Sequence, residues 1–206
     1  MKSILTFLLC LMAQQAIGQR FPDRVDPEAW KPPYNLAVPD GWTTERFPIP
    51  IDFAPQIPYK GVEELRFTPG WGKRTSAEYW SYAYLWWLEG SPTITALSLQ
   101  ANLTAYYAGL VSRNSTSRHG LTTKGVDTTT QLKKIRSTGA GEVYSGTIVM
   151  LDYMAQTPII LNCRIHVDRC REQNHTAVFV EISPKPAQNP TWKKLDALYG
   201  SFVCKK

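Results

Sequence analysis

The run Tyr79-Trp80-Ser81-Tyr82-Ala83-Tyr84-Leu85-Trp86-Trp87-Leu88 constrains the fold more than any other part of the chain. Its apolar residues would fall on every face of a helix, whereas its aromatic enrichment favours a strand. Read as a strand, it puts Trp80, Tyr82, Tyr84, Trp86 and Leu88 on one side, and Tyr79, Ala83, Leu85 and Trp87 on the other. Both sides are apolar, so both have to be covered. A central strand with helices or an extended segment packed on each face meets that demand.

The flanking sequence supplies the covers. Ser91-Pro92 reads as a helix start, with Ser at the cap and Pro in the first turn. Ala96, Leu99, Leu103, Tyr106, Tyr107 and Leu110 then recur at steps of three and four, and the helix is expected to end near Ser112. Strands follow over residues 129–136, 143–153, 159–168 and 176–183. In the last pair Ile159, Leu161, Cys163, Ile165 and Val167 alternate with polar residues, as do Val178, Val180 and Ile182 on the return, which fits a half-buried antiparallel hairpin. Pro190 opens a short helix carrying Trp192, Leu195 and Leu198 on one side, and Gly200 ends it. The expected fold is α+β: an antiparallel sheet of about four to six strands packed with one long helix and a short C-terminal helix. A single domain of this kind is expected over residues 59–206.

Residues 19–58 differ in kind. Nine prolines lie there, too many for a regular helix or a central strand. Trp30, Tyr34, Trp42, Phe47 and Phe53 argue against a free linker. The segment reads as a proline-rich extended arm laid over the domain. Before it, Lys2, the apolar run 4–12 and Ala16-Ile17-Gly18 read as a signal peptide over residues 1–18, cut at Gly18/Gln19. The expectation is a secreted or periplasmic, soluble protein. The apolar run is too short to span a bilayer, and the uncharged stretch 90–112 holds Pro92, Gln100 and Asn102, so no membrane span is expected.

Three cysteines remain after such a cut. Cys163 sits at an inward position of an alternating strand and reads as a buried thiol. Cys170 and Cys204 sit at element ends and read as a disulfide, as an oxidising compartment favours. The net charge of +6 is scattered apart from Lys133-Lys134-Arg136 and Lys193-Lys194, with no nucleic-acid motif, so no nucleic-acid partner is expected.

Chemistry-bearing residues form two groups. Trp80, Tyr82, Tyr84 and Trp86 would make a ladder of rings, a platform on which a sugar or another flat ligand can stack. On the hairpin, Arg164, His166, Asp168, His175 and Glu181 share the polar face of two strands. If Asp168 faces His175 across the turn, His166, Asp168 and His175 converge as a two-imidazole, one-carboxylate metal set. The competing reading is that an amphipathic hairpin needs polar residues on its solvent face. No Gly-x-Ser-x-Gly elbow and no phosphate-binding glycine loop occurs, and no cofactor is implied. Glu63 and Glu64 alternate in direction on an extended chain, so they cannot flank one bond together. Sequons at Asn102, Asn114 and Asn174 read as chance matches. The functional expectation is a non-catalytic binding or accessory protein of the cell envelope or extracellular space. It would hold a ligand or an envelope protein in an aromatic-lined groove between sheet and helix. The rival is a small metal-dependent hydrolase using His166, Asp168 and His175.

Overall fold

The computed structural model describes residues 30–116, 126–137 and 141–205. The expected signal peptide, its cut and the first part of the proline-rich segment lie outside the described residues. The strands are β1 (Tyr34–Asn35), β2 (Thr43–Ile49), β3 (Gly61–Phe67), β4 (Tyr82–Glu89), β5 (Thr129–Ser137), β6 (Gly141–Asp152), β7 (Thr157–Cys170), β8 (His175–Ser183) and β9 (Val203–Cys204). The helices are α1 (Ala96–Thr116) and α2 (Pro190–Gly200). Seven strands make one sheet in the order β2-β3-β4-β8-β7-β6-β5, antiparallel throughout, and β1 pairs with β9 in a separate two-stranded sheet.

The α+β expectation is therefore corrected. The chain is mostly β, and four to six strands packed with one long helix does not describe it. The strands of the seven-stranded sheet that the expectation lacks are β2 and β3. Pro48 hides the first: proline has no N–H to give a ladder, a defect tolerated on an edge strand, and β2 is an edge. Glu63, Glu64 and Arg66 hide the second, because a strand with charges pointing to both faces looks like surface loop, although all three are buried. The helix start is corrected too. Thr95 and Ser98 exchange side-chain-to-backbone hydrogen bonds in a capping box, so α1 begins after Thr95 rather than at Ser91-Pro92.

The edge at β5 is guarded. The Leu132 N–H donates to Gln100 Oε1 of α1 at 2.9 Å, and a bulge falls between Lys134 and Arg136. Both devices blunt an edge against further strand pairing.

β4 lies inside the sheet, and alternation along it separates two cores. Tyr82, Tyr84, Trp86 and Leu88 join Leu99, Leu103, Tyr106 and Tyr107 of α1. Ala83, Leu85 and Trp87 join Trp192, Leu195 and Leu198 of α2, together with Tyr34. The two helices thus cover opposite faces. α2 is capped by Asn189, whose side chain accepts from the Thr191 N–H, and Pro190 occupies the first turn. Cys170 and Cys204 lie at disulfide distance and tie the end of β7 to β9, while Cys163 is a free, buried thiol.

Candidate functional site

The α1 face holds the expected ring ladder, and the ladder is core. Trp80, Tyr82, Tyr84 and Trp86 are at most 2 % exposed. Tyr84 stacks on Tyr106 of α1 with centroids 5.4 Å apart, and the hydroxyls of Tyr82 and Tyr107 meet at 2.8 Å. The rings fill the space between sheet and helix, leaving no stacking surface for a ligand there. Trp80 adopts φ +54°, a conformation rare for a bulky side chain. It is wedged among Trp71, Tyr82 and Tyr153. Glu63 enters this core and accepts from Trp86 Nε1 at 3.0 Å. Burial pushes its carboxyl up to about 7, against the hydrogen bonds of Trp86 and Tyr106.

On the opposite face the hairpin residues do share one side of the sheet. Arg164 pairs with Glu181, His166 with Phe179 and Asp168 with Ala177 across β7 and β8. The register differs from the one the metal reading requires, because His175 faces Cys170 rather than Asp168. Each of the three candidate ligands is engaged by other partners. The His175 ring stacks on Trp87 at 4.8 Å, and its Nδ1 donates to the Gln173 carbonyl at 2.6 Å. Asp168 accepts from the Tyr199 hydroxyl at 3.1 Å, and burial raises its carboxyl pKa despite that bond. His166 stacks on the Tyr199 ring at 3.6 Å and places Nε2 3.4 Å from Glu181 Oε2. Among the described residues no group of three or more His, Cys, Asp and Glu is placed to hold a metal ion. Nor is this a solvent face: α2 lies over it, and His166 and Glu181 are buried. Arg164 bridges Glu181 and Asp196 at the rim, so the cluster docks α2 onto the sheet.

A second set of charges on this face borders open space. Glu64 and Arg66 alternate along β3, and Arg46 of β2 stands directly opposite Glu64. Glu64, only 1 % exposed, accepts from the Tyr34 hydroxyl at 2.7 Å, from Arg46 Nε at 2.8 Å and from the Arg66 guanidinium. Burial works against its charge. The hydrogen bonds from Arg46 and Tyr34, with Arg66 beside them, outweigh burial and hold its pKa below the ordinary carboxylate value. Arg66 Nε also donates to the Ala37 carbonyl at 3.0 Å, and the Ala37 N–H donates to Ser201 Oγ at 3.1 Å. Lys205 Nζ donates to the Pro32 carbonyl at 2.9 Å.

These bonds suspend residues 32–38 over the β2–β3 edge and fasten them to the C-terminal residues. Between them lies a cleft of about 520 Å³, within the roughly 300–1,000 Å³ usual for small-molecule sites. Its polar floor is the Arg46–Glu64–Arg66 group, and Leu36 and Val38 add apolar lining. Sequence reasoning missed this site because its members come from four distant segments. The one local signal was the i, i+2 spacing of Glu64 and Arg66, legible only once residues 61–67 are known to be a strand.

Comparison of the chain with known protein families, curated proteins and solved structures returns no match.

Proposed function

We propose that this chain is a non-catalytic binding protein that works outside the cytoplasm, and that its ligand seats in the cleft between residues 32–38 and the β2–β3 edge. The observation that carries the reading is the Arg46–Glu64–Arg66 group at the floor of that cleft, with Glu64 and Arg66 buried and Arg46 half-buried. Three donors converge on one carboxylate whose desolvation is costly, and such a network is rigid when every member is satisfied. A rigid polar floor with apolar walls is the general form of a small-molecule site. Cys170 and Cys204 at disulfide distance suit an oxidising compartment. No helix among the described residues is long and apolar enough to cross a membrane.

The binding role expected of the ring ladder moves to the other face of the sheet. On the α1 side, rings contact rings, so entry of a ligand would require separating α1 from β4.

Soaking crystals of the protein with a library of small fragments tests the proposal. Fragments are expected to concentrate in the cleft, in contact with Arg46 or Leu36. Fragments that gather elsewhere, with the cleft empty, would overturn it.

A further inference from the structure

We infer that the sheet face of β5–β7 beside α2 is a second binding surface, separate from the cleft, and that it takes an acidic polysaccharide. Two basic clusters far apart in sequence, Lys133-Lys134-Arg136 and Lys193-Lys194, contribute to it. The register builds the face in rows across three strands. Arg136 stands opposite Val143, Lys133 opposite Ser145 and Gln131 opposite Thr147. These rows continue on β7 as His166, Arg164 and Asn162, on the side that carries α2. Neighbouring rows lie roughly 7 Å apart along the strands. α2 covers His166 and reaches Arg164 through Asp196, but the β5 ends of the rows, Gln131, Lys133 and Arg136, are exposed. Asp196 marks the flank of α2 that borders this face. Lys193, three residues earlier, shares that flank and is exposed.

The charge balance sets the sign of the partner. The other cluster members turn away, Lys134 to Glu142 and Lys194 to Glu78. Lys133, Arg136 and Lys193 form no ion pair among the described residues. The acids of this face are engaged: Glu181 and Asp196 by Arg164, and Asp168 by the Tyr199 hydroxyl. Arg136 lies close enough to Tyr199 for its charge to favour the ionised phenol, so it stands at the C-terminal end of α2, while Lys193 stands near the N-terminal end. Three uncommitted cations therefore frame one open face.

The neutral residues set the class. Ser145, Thr147, Gln131 and Asn162 present hydroxyls and amides, which both donate and accept, as a chain rich in hydroxyls requires. An acidic peptide adding as a strand needs an open edge, and the β5 edge is blunted by Gln100 and by the bulge between Lys134 and Arg136. A single-stranded nucleic acid needs rings for its bases to stack on, and no aromatic residue stands in the Gln131 or Lys133 row. A flat face suits an extended chain lying along it, whereas a compact molecule needs a concave site.

The test is a titration of the ¹⁵N-labelled full chain, at constant ionic strength, with hexagalacturonate, maltohexaose and hexaglutamate. The first two share sugar rings and differ in charge; the first and third share charge and differ in backbone. Hexagalacturonate is expected to give saturable shifts at Lys133, Ser145 and Lys193, and to bind at least about threefold more tightly than either other probe. Replacing Lys133, Arg136 and Lys193 together by Gln is expected to weaken it about tenfold. All three are exposed and pair with no acid among the described residues, so that variant is expected to fold. Replacing Lys60, Lys73 and Arg74 by Gln removes the same charge elsewhere and is expected to change affinity less than about twofold. Maltohexaose binding as tightly would overturn the requirement for an anion, and hexaglutamate binding as tightly would overturn the polysaccharide. Equal losses in the two variants, no loss in the first, shifts confined to other residues, or saturable binding of none of the probes would overturn the surface itself. None of these outcomes bears on the cleft.

Discussion

Glu63 and Glu64 are neighbours on β3, yet they occupy opposite chemical settings, because a strand sends consecutive side chains to opposite faces. Glu63 enters the ring-filled core under α1 and finds only neutral donors. Glu64 enters the α2 face and finds two guanidinium groups and a phenol. Both are buried, so burial alone does not decide their charge. Neutral surroundings favour the protonated acid at Glu63, and paired cations favour the carboxylate at Glu64. One face is a ring-filled core, and the other is a charged one that opens into a cleft.

Removing the charged member gives the largest expected effect. Glu64→Ala leaves Arg66 buried at 3 % exposure without its carboxylate, and breaking such a pair costs about 3–5 kcal/mol. The measurement is the urea midpoint; a loss below about 1 kcal/mol would mean that the arginines find other partners.

Acid–base behaviour sharpens the comparison next. Glu63 has an ordinary value of 4.5 and a folded value of about 7, so the folded chain holds this proton more tightly than the unfolded chain. Its contribution to stability is fully present below about pH 4.5, falls as pH rises, and is lost above about pH 7. The full swing is about 3 kcal/mol. Glu64 has the opposite sign: its lowered value adds stability that is lost as pH falls through it. Urea unfolding of the native chain and of Glu63→Gln, compared from pH 4.5 to 8, is expected to show the native chain losing about 3 kcal/mol relative to the variant. Parallel curves would show that Glu63 ionises without cost.

A third change asks whether the aromatic face has slack. A Cβ on Gly109 of α1 would sit 1.9 Å from the Phe53 carbonyl oxygen. Gly109→Ala is expected to cost about 1–3 kcal/mol by overpacking, although alanine is the better helix former by about 1 kcal/mol. A raised melting temperature would show that α1 can shift on its bed of rings.

The smallest expected effect is none at all. Cys163 lies in the aromatic core, and burial pushes its thiol up to about 12. In a chain starting at Gln19 and kept free of reductant, a thiol reagent is expected to find no reactive cysteine when native and one when unfolded. Rapid reaction of the native chain would mean that this core opens readily.

Several parts of this architecture were legible in the residues. The doubly apolar run demanded an internal strand covered on both sides, and β4 is one, between β3 and β8. The assignment of Cys170 and Cys204 as partners followed from their positions at element ends, and the structure brings them to bonding distance. The strand at residues 61–67 was not legible, because hydrophobic alternation is the signal for a half-buried strand and Glu63-Glu64 interrupts it. Nor was the role of His166 and Glu181, since an alternating polar face looks the same whether water or a helix covers it. The cleft was the least legible of all. Tyr34, Arg46, Glu64 and Lys205 meet only through long-range folding, and no local periodicity encodes that meeting.

The pairing of β1 with β9 has a consequence for when the protein becomes competent. Tyr34 and Cys204 are partners in that small sheet, though nearly the whole described chain separates them. A ribosome makes Tyr34 long before Cys204. Contacts so distant in sequence carry a large closure entropy and form only after the intervening structure has shortened the gap. A chain that stops before Val203 therefore lacks the β1–β9 pairing that fastens residues 32–38 beside the cleft. The wall over the proposed site is thus built only once β9 exists to hold it.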